Sequence, residues 1–349
     1  MTDERKWYQR VGRENDVACS SRVRLARNLT GYPFPSRCNQ RQKDEILEKV
    51  REAFLSASSL VQKDFSFIPL VSLTQEEAVS MVERHIVSPG FISDAAGKAL
   101  LLSKDESISI MINEEDHLRI QVIREGLCTK EAYQMAERID RLLSERLNFA
   151  FDNDLGYLTH CPTNLGTALR VSVMLHLPAL SEFRMIPRLT ANLAKLGMII
   201  RGTYGEGTEV SGDLYQLSNQ VTLGLSEETA LENLHAIALQ LLKEERDQRE
   251  QMMRNLSAKD RIYRCIGILK YARLLTTGEF MKYISNVRLG LSMNLLEGMT
   301  MAEVNQLVID VQPATLMTHA GGRISQKERD RLRGDLVRTV CKGLAEKTM

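Results

Sequence analysis

The stretch Asn113-Glu-Glu-Asp-His-Leu-Arg119 restricts the possible folds of this chain more than any other. Residues 107–112 alternate polar and apolar before it, and Leu118, Ile120 and Val122 continue the alternation after it. That pattern describes two strands joined by a tight turn. If Leu118, Ile120 and Val122 face a core, Arg119 and Gln121 must face the other way. Three carboxylates on one turn repel each other unless a cation is held nearby. The turn therefore predicts a hairpin whose outer face works on charged groups.

The rest of the chain fits around such a hairpin. Helical periodicity runs over 40–58, 74–86, 130–147, 180–196 and 227–254, and strand alternation returns at 168–177 and 198–203. Hairpin-type strands followed by helices predict an α+β fold, with a mainly antiparallel sheet and helices over one face. From residue 257 onward the pattern is helical with no convincing strand, punctuated by Gly278, Gly298, Pro313 and Gly321-Gly322. This divides the chain into an N-terminal segment 1–15, a domain 16–254 and an all-α domain 255–349. The charged run 243–250 reads as a solvated helix face.

With 349 residues the chain has room for one large or two modest domains. A net charge of +1 gives no global field toward nucleic acid or anionic lipid, so anion recognition must come from local arginines. Residues 1–13 lack the apolar centre of a signal peptide, and no apolar run is long enough to span a bilayer. Six cysteines with no Cys-x-x-Cys spacing predict reduced thiols in a cytoplasm and argue against zinc.

Three further constellations carry chemistry. In Ser20-Ser-Arg-Val-Arg24, an extended strand projects Arg22 and Arg24 to one side, and paired guanidinium forks suit a polyphosphate. In Cys161-Pro-Thr-Asn-Leu-Gly-Thr-Ala-Leu-Arg170, a thiol precedes a turn whose N–H groups favour its ionisation, and Arg170 leaves the non-core side of the next strand. In Arg201-Gly-Thr-Tyr-Gly-Glu-Gly-Thr-Glu209, an apolar strand ends at an arginine and enters a glycine-rich loop holding Glu206. Neither a Walker-type Gly-x-x-x-x-Gly-Lys-Ser/Thr nor a Gly-x-Gly-x-x-Gly is present, so any phosphates would be held by arginine side chains.

These motifs, in this order over about residues 16–254, resemble the phosphagen (guanidino) kinases. The resemblance implies a saddle-shaped antiparallel sheet flanked by helices. It also implies an ATP site formed by Ser20, Ser21, Arg22, Val23, Arg24, His85, Arg119, Arg170, Val171, Ser172, Val173, Met174, Arg201, Gly202, Thr203, Tyr204 and Gly205. Mg²⁺ would ride on the phosphates with no direct protein ligand, Glu114 and Asp116 reaching it through water at most.

Two departures narrow the family. Fewer than twenty residues precede the Ser-Arg-Val-Arg strand, where creatine and arginine kinases carry a small helical domain, and Tyr204 and Gly207 replace an arginine and a histidine. Both features are similar to the bacterial protein-arginine kinases. Those kinases add a helical domain with an Arg-Asp-x-x-Arg-Ala motif for phosphoarginine. Here Arg329, Asp330 and Arg333 match it and Gly334 departs.

The chemistry expected of such a site places Glu115 as main base and orienter, Glu206 as second clamp and the Cys161 thiolate as a third negative contact. Implied partners are proteins with exposed arginines, an activator protein, a Clp unfoldase–protease acting under stress, and a second copy of the chain. A kinase of free arginine and a non-catalytic phosphoarginine-binding adaptor are the alternatives. A nucleic-acid-binding role is disfavoured by the charge balance.

Overall fold

The structure is a computed structural model that describes residues 5–56, 64–202 and 210–348. The hairpin lies at its centre: β4 (Ile108–Ile112) and β5 (Leu118–Glu125) pair antiparallel with Ile112 opposite Leu118, and Asn113 N–H closes the turn on His117 O at 2.9 Å. Asn113 adopts φ 60°, a left-handed conformation that asparagine tolerates better than most residues.

Around it the chain runs β1 (Ala18–Arg27), α1 (Gln40–Ser56), β2 (Phe65–Pro69), α2 (Gln75–Glu83), β3 (Ala99–Ser103), β4, β5, α3 (Thr129–Ser144), and the short ribbon β6 (Phe151–Asp152) and β7 (Gly156–Tyr157). Next come β8 (Leu169–His176), α4 (Pro178–Glu182), α5 (Ile186–Lys195), β9 (Met198–Gly202), β10 (Leu214–Asn219) and α6 (Glu227–Met252). The helical domain holds α7 (Leu256–Tyr271), α8 (Thr277–Ser292), β11 (Leu296–Glu297), α9 (Met301–Asp310), α10 (Pro313–His319), α11 (Gln326–Val340) and β12 (Ala345–Glu346). It is not strand-free as expected, because β11 and β12 form a two-residue ribbon.

Eight strands form one sheet in the order β2-β3-β4-β5-β1-β8-β10-β9, every pair antiparallel. Its core face carries Val23, Leu25, Leu118, Ile120, Val122, Leu169, Val171, Val173 and Leu217 against α1, α3 and α6. The expectation of helices on one face needs correction. At the β2–β4 end α2 covers the opposite face, where Leu100, Leu102 and Met111 pack with Met81, Ile86 and Phe91. β3 is thus buried on both sides, which removes the alternation a one-sided strand shows. The helix expected over 180–196 is broken into α4 and α5, with Arg184 at φ 53° between them.

The helical domain is fastened to α2. Buried Glu83, at the end of α2, accepts from the N–H groups of Ala314 and Thr315 (2.8 and 2.7 Å) and from the Thr315 hydroxyl (2.8 Å), capping α10. A second buried fastening joins β8 to α6: Arg249, 1% exposed, donates to Glu245 Oε1 (2.7 Å) and to His176 O (2.8 Å). Glu245 in turn accepts from the N–H groups of Ala179 and Leu180 at the start of α4. Both charges of this pair are thereby paired and hydrogen-bonded, as burial requires.

Candidate active site

The ladder registers decide which side chains share a face. Arg24 lies opposite Arg170 on β8 and Gln121 on β5, Arg22 lies opposite Ser172, and Arg119 lies opposite Ala26. Gln216 of β10 lies opposite both Met174 and Arg201. Since paired residues point the same way, Arg22, Arg24, Arg119, Arg170 and Arg201 all leave the sheet on the side away from the core. Ser20, Ser172 and Met174 share that side. Ser21, Val23, Val171 and Val173 do not: they are fully buried on the core side, and the Ser21 hydroxyl donates to Gly126 O at 2.8 Å. They hold the basic strands in place and offer a ligand backbone only.

Five guanidinium groups on one face repel each other. Burial, then the charges of Arg119 and Arg170, pull the Arg22 pKa down to about 10, and Arg24 is lowered further for the same reasons with Arg22 added. Arg170 is lowered by burial and by Arg201 and Arg119, offset in part by Cys161 and Glu115. Arg22 rests on Gln216 Oε1 at 2.5 Å, and among the described residues no carboxylate pairs with Arg22, Arg24 or Arg170. The Nε atoms of Arg24 and Arg170 are buried with no acceptor among the described residues. Such a face suits a polyanion.

The acids of the turn divide their work. Glu114 takes Arg119 Nη1 on both oxygens (2.8 and 2.7 Å) and the Ser88 hydroxyl on one (2.5 Å). Burial disfavours its charge, but Arg119, Ser88 and a backbone N–H outweigh that and hold it below the usual carboxylate range. Asp116 is 3% exposed and accepts from Asn28 Nδ2 (2.6 Å) and from His160 N–H (2.8 Å). In the structure Glu114 holds Arg119, and Asp116 ties the turn to the segment leading into Cys161. Among the described residues no cluster of His, Cys, Asp or Glu is arranged to hold a metal ion directly.

Glu115 is the acid left facing outward, 38% exposed at its side chain and 3.9 Å from His160 Nδ1. Burial and the neighbouring Asp116 raise its pKa. His117 is structural: its Nδ1 accepts from Leu29 N–H and its Nε2 meets Pro33 O, both at 2.9 Å, and burial keeps it neutral. Cys161 precedes the short turn Pro162–Asn164. No turn N–H reaches its side chain, contrary to expectation; Sγ lies 3.1 Å from the Thr163 hydroxyl. Gly166 serves the fold, since a Cβ there would lie 2.3 Å from Thr222 O.

His85 ends α2 at φ 62°, in a Schellman-type cap closed by His85 N–H to Val82 O and Ile86 N–H to Met81 O (both 2.9 Å). Glycine is favoured there, so a histidine implies that the side chain has a use. Burial and Arg22 lower its pKa to about 4, keeping it neutral beside the basic face. Thr203, Tyr204, Gly205 and Glu206 lie outside the described residues, while Gly202 ends β9.

In the helical domain Arg333 is 1% exposed and donates to Val311 O (3.0 Å), Leu275 O (2.8 Å) and Asp330 Oδ1 (2.7 Å). It builds the packing of α11 and is not open to a ligand, a correction to the expected phosphoarginine contact. Arg329 is half-buried and donates to Ile324 O at 3.1 Å. A Cβ at Gly334 would lie 2.9 Å from Arg273 O, which accounts for glycine where the motif carries alanine. Sequence reading missed Ser88, His160 and Gln216. None has a motif of its own, and Gln216 sits on a strand whose alternation went unread.

Comparison with known proteins agrees with this geometry. Residues 45–248 match the family ATP:guanido phosphotransferase, C-terminal catalytic domain, and residues 255–349 match the Protein-arginine kinase McsB C-terminal domain. The protein-arginine kinase of Brevibacillus brevis is 40% identical over 334 residues, 95% of this chain and 94% of that protein. The protein-arginine kinase of Clostridium kluyveri is 45% identical over 324 residues, 92% of this chain and 94% of that one. Among solved structures, the duplicated taurocyamine kinase from Schistosoma mansoni with bound transition state analog components has a TM-score of 0.59 at 31% identity, covering 66% of this chain and 33% of that chain. Lombricine kinase shares the fold, with a TM-score of 0.60 at 24% identity over 68% of this chain and 70% of that one. The chain belongs to the ATP:guanido phosphotransferase family and, within it, to the protein-arginine kinases.

Proposed function

We propose that Arg22, Arg24, Arg119, Arg170 and Arg201 grip the phosphates of ATP while Glu115 receives the arginine side chain of a protein substrate at the hairpin end of the same face. The observation that supports this is the shared face itself: five arginines from four strands beside one outward acid of raised pKa.

A guanidinium is a poor nucleophile because its lone pairs are delocalised and it is protonated. Glu115 holds the planar fork and accepts a proton from the attacking nitrogen as the N–P bond forms and the bond from the γ-phosphorus to the ADP oxygen breaks. The leaving ADP oxygen takes the bonding electron pair, and the arginines spread the charge on the transferring group. Magnesium supplies further charge neutralisation when bound with ATP. Cys161, beside Arg170, contacts the substrate fork and forms no covalent intermediate. Glu206 is the second clamp by resemblance.

By the same resemblance the phosphoarginine product marks cytoplasmic proteins for a Clp unfoldase–protease under stress, with an activator protein. The helical domain makes a homodimer contact and offers phosphoarginine the surface of Arg329 and Asp330. The deciding experiment is phosphoryl transfer from ATP to an arginine-rich protein by Glu115→Gln, read by mass spectrometry under conditions that spare acid-labile N–P bonds. A loss of about a hundredfold is expected for one such group. Near-normal turnover defeats the assignment of Glu115.

A further inference from the structure

The registers also set a distance scale along the basic face. From the row of Arg119 and Ala26 to the row of Ser20 and Met174 is six residues of β1. At about 3.3 Å per residue that is roughly 20 Å, the reach of an extended nucleoside triphosphate. With the γ-phosphate beside Glu115 and Arg119, the base falls past Arg22. A small cavity of about 20 Å³ lies there, lined by Trp7, Arg22, His85, Ile123 and Met174. It adjoins a second of about 60 Å³ that Trp7 and His85 also line and that reaches Met281 and Ile309 of the helical domain.

Trp7 is built into this position. Its backbone N–H donates to Asp105 O at 3.0 Å, and its ring packs with Tyr8, Ile123 and Ile309. The ring centroid lies 6.4 Å from that of His85 at an interplanar angle of 50°. The side chain is 7% exposed, and its Nε1–H is buried with no acceptor among the described residues. A buried donor without a partner is costly, so it marks a place where an acceptor is to be supplied.

We propose that Trp7 is a base-positioning residue of the nucleotide site: its indole closes the base end of the slot and its ring N–H donates to the base or ribose of ATP. The inference rests on the nucleotide-binding role proposed for the arginine face. It makes the site a composite of three parts of the chain. Trp7 precedes the matched catalytic region, and Ile309 behind it belongs to the helical domain. Docking of that domain therefore shapes the base end.

Trp7 is the only tryptophan in the chain, so its emission reports this contact alone. The full-length protein is titrated with ADP and, separately, with inorganic tripolyphosphate, while calorimetry measures binding of each. ADP is expected to change the emission saturably at the calorimetric Kd, and tripolyphosphate to bind without that change. ADP binding with unaltered emission, or the same change with tripolyphosphate, overturns the role of Trp7 and leaves the arginine face intact. Failure of both ligands to bind overturns both readings. Trp7→Phe keeps an aromatic ring and loses the N–H. It should weaken ADP about fivefold, the loss of one neutral hydrogen bond, with tripolyphosphate affinity unchanged. An equal loss for both ligands, or none for ADP, refutes the positioning role.

Discussion

Glu114→Gln separates two roles for the first acid of the turn. In the structure Glu114 accepts Arg119 Nη1 on both oxygens at 2.8 and 2.7 Å, and the two side chains are 9% and 19% exposed. A hydrogen bond to a charged group contributes about 1.5–3 kcal/mol and a neutral one about 0.5–1.5. Glutamine keeps the shape and one acceptor, so the substitution removes the difference, about 1.5 kcal/mol. If Arg119 aimed by Glu114 acts on the transferring phosphoryl group, kcat falls about tenfold. KM for ATP does not rise, because the face becomes more positive by one charge. Steady-state kinetics across a magnesium series provides the assay. An intact kcat refutes the aiming role. A loss restored by magnesium alone refutes it too, since that assigns Glu114 to water around the metal.

Other consequences are as direct. His85→Gly keeps the left-handed backbone at φ 62° and removes the ring that lines the slot, so KM for ATP should increase, and an unchanged KM refutes a use for the side chain. Gly334→Ala gains about 1 kcal/mol of helix propensity, yet its Cβ meets Arg273 O at 2.9 Å, so a lower melting temperature is expected, and a higher one refutes the packing. Burial and Asp116 raise the pKa of Glu115, and in the proposed mechanism its carboxylate form is the active one, so activity is expected to be lost as pH falls through that raised value. The acid limb of kcat/KM should lie above the ordinary glutamate value of about 4.3, and a limb below it refutes the base. His85, at about 4, adds no step near neutrality.

β5 and β8 were legible in the sequence because each alternates between a core side and a polar side. Leu118, Ile120 and Val122 alternate with Arg119 and Gln121, and the same holds for β8, so the outward direction of Arg119 and Arg170 followed from periodicity, while their gathering with Arg22, Arg24 and Arg201 was implied by the family resemblance. β3 escaped because Ala99 to Leu102 are buried on both faces, leaving a short apolar run that could as well be helix. The division of labour among Glu114, Glu115 and Asp116 was not legible. Three adjacent acids look alike in sequence, and only the turn's path shows that Asp116 points into Asn28 and Glu114 into Arg119. The same limit applied to Arg333, whose motif suggests a ligand but whose side chain is enclosed by the carbonyls of Val311 and Leu275. Trp7 carried no motif at all; a chain contact with Asp105 nearly a hundred residues away brings it to the slot.

A face of crowded arginines destabilises the free protein, and the way it is anchored explains why the fold tolerates it. β1, β5 and β8 lie next to one another in the sheet, and each basic residue alternates with an apolar neighbour of essentially no exposure: Val23 and Leu25, Leu118 and Ile120, Leu169 and Val171. Burial of each such side chain contributes roughly 1.5–3 kcal/mol, on the order of the repulsion that its charged neighbour introduces. The core side thus fixes the backbone before any ligand arrives, and the guanidinium groups cannot escape one another by moving the strands. A polyanion that enters relieves the repulsion without a rearrangement. In the proposed mechanism the stability lost in the free state returns as affinity, at the atoms that would spread the phosphoryl charge during transfer.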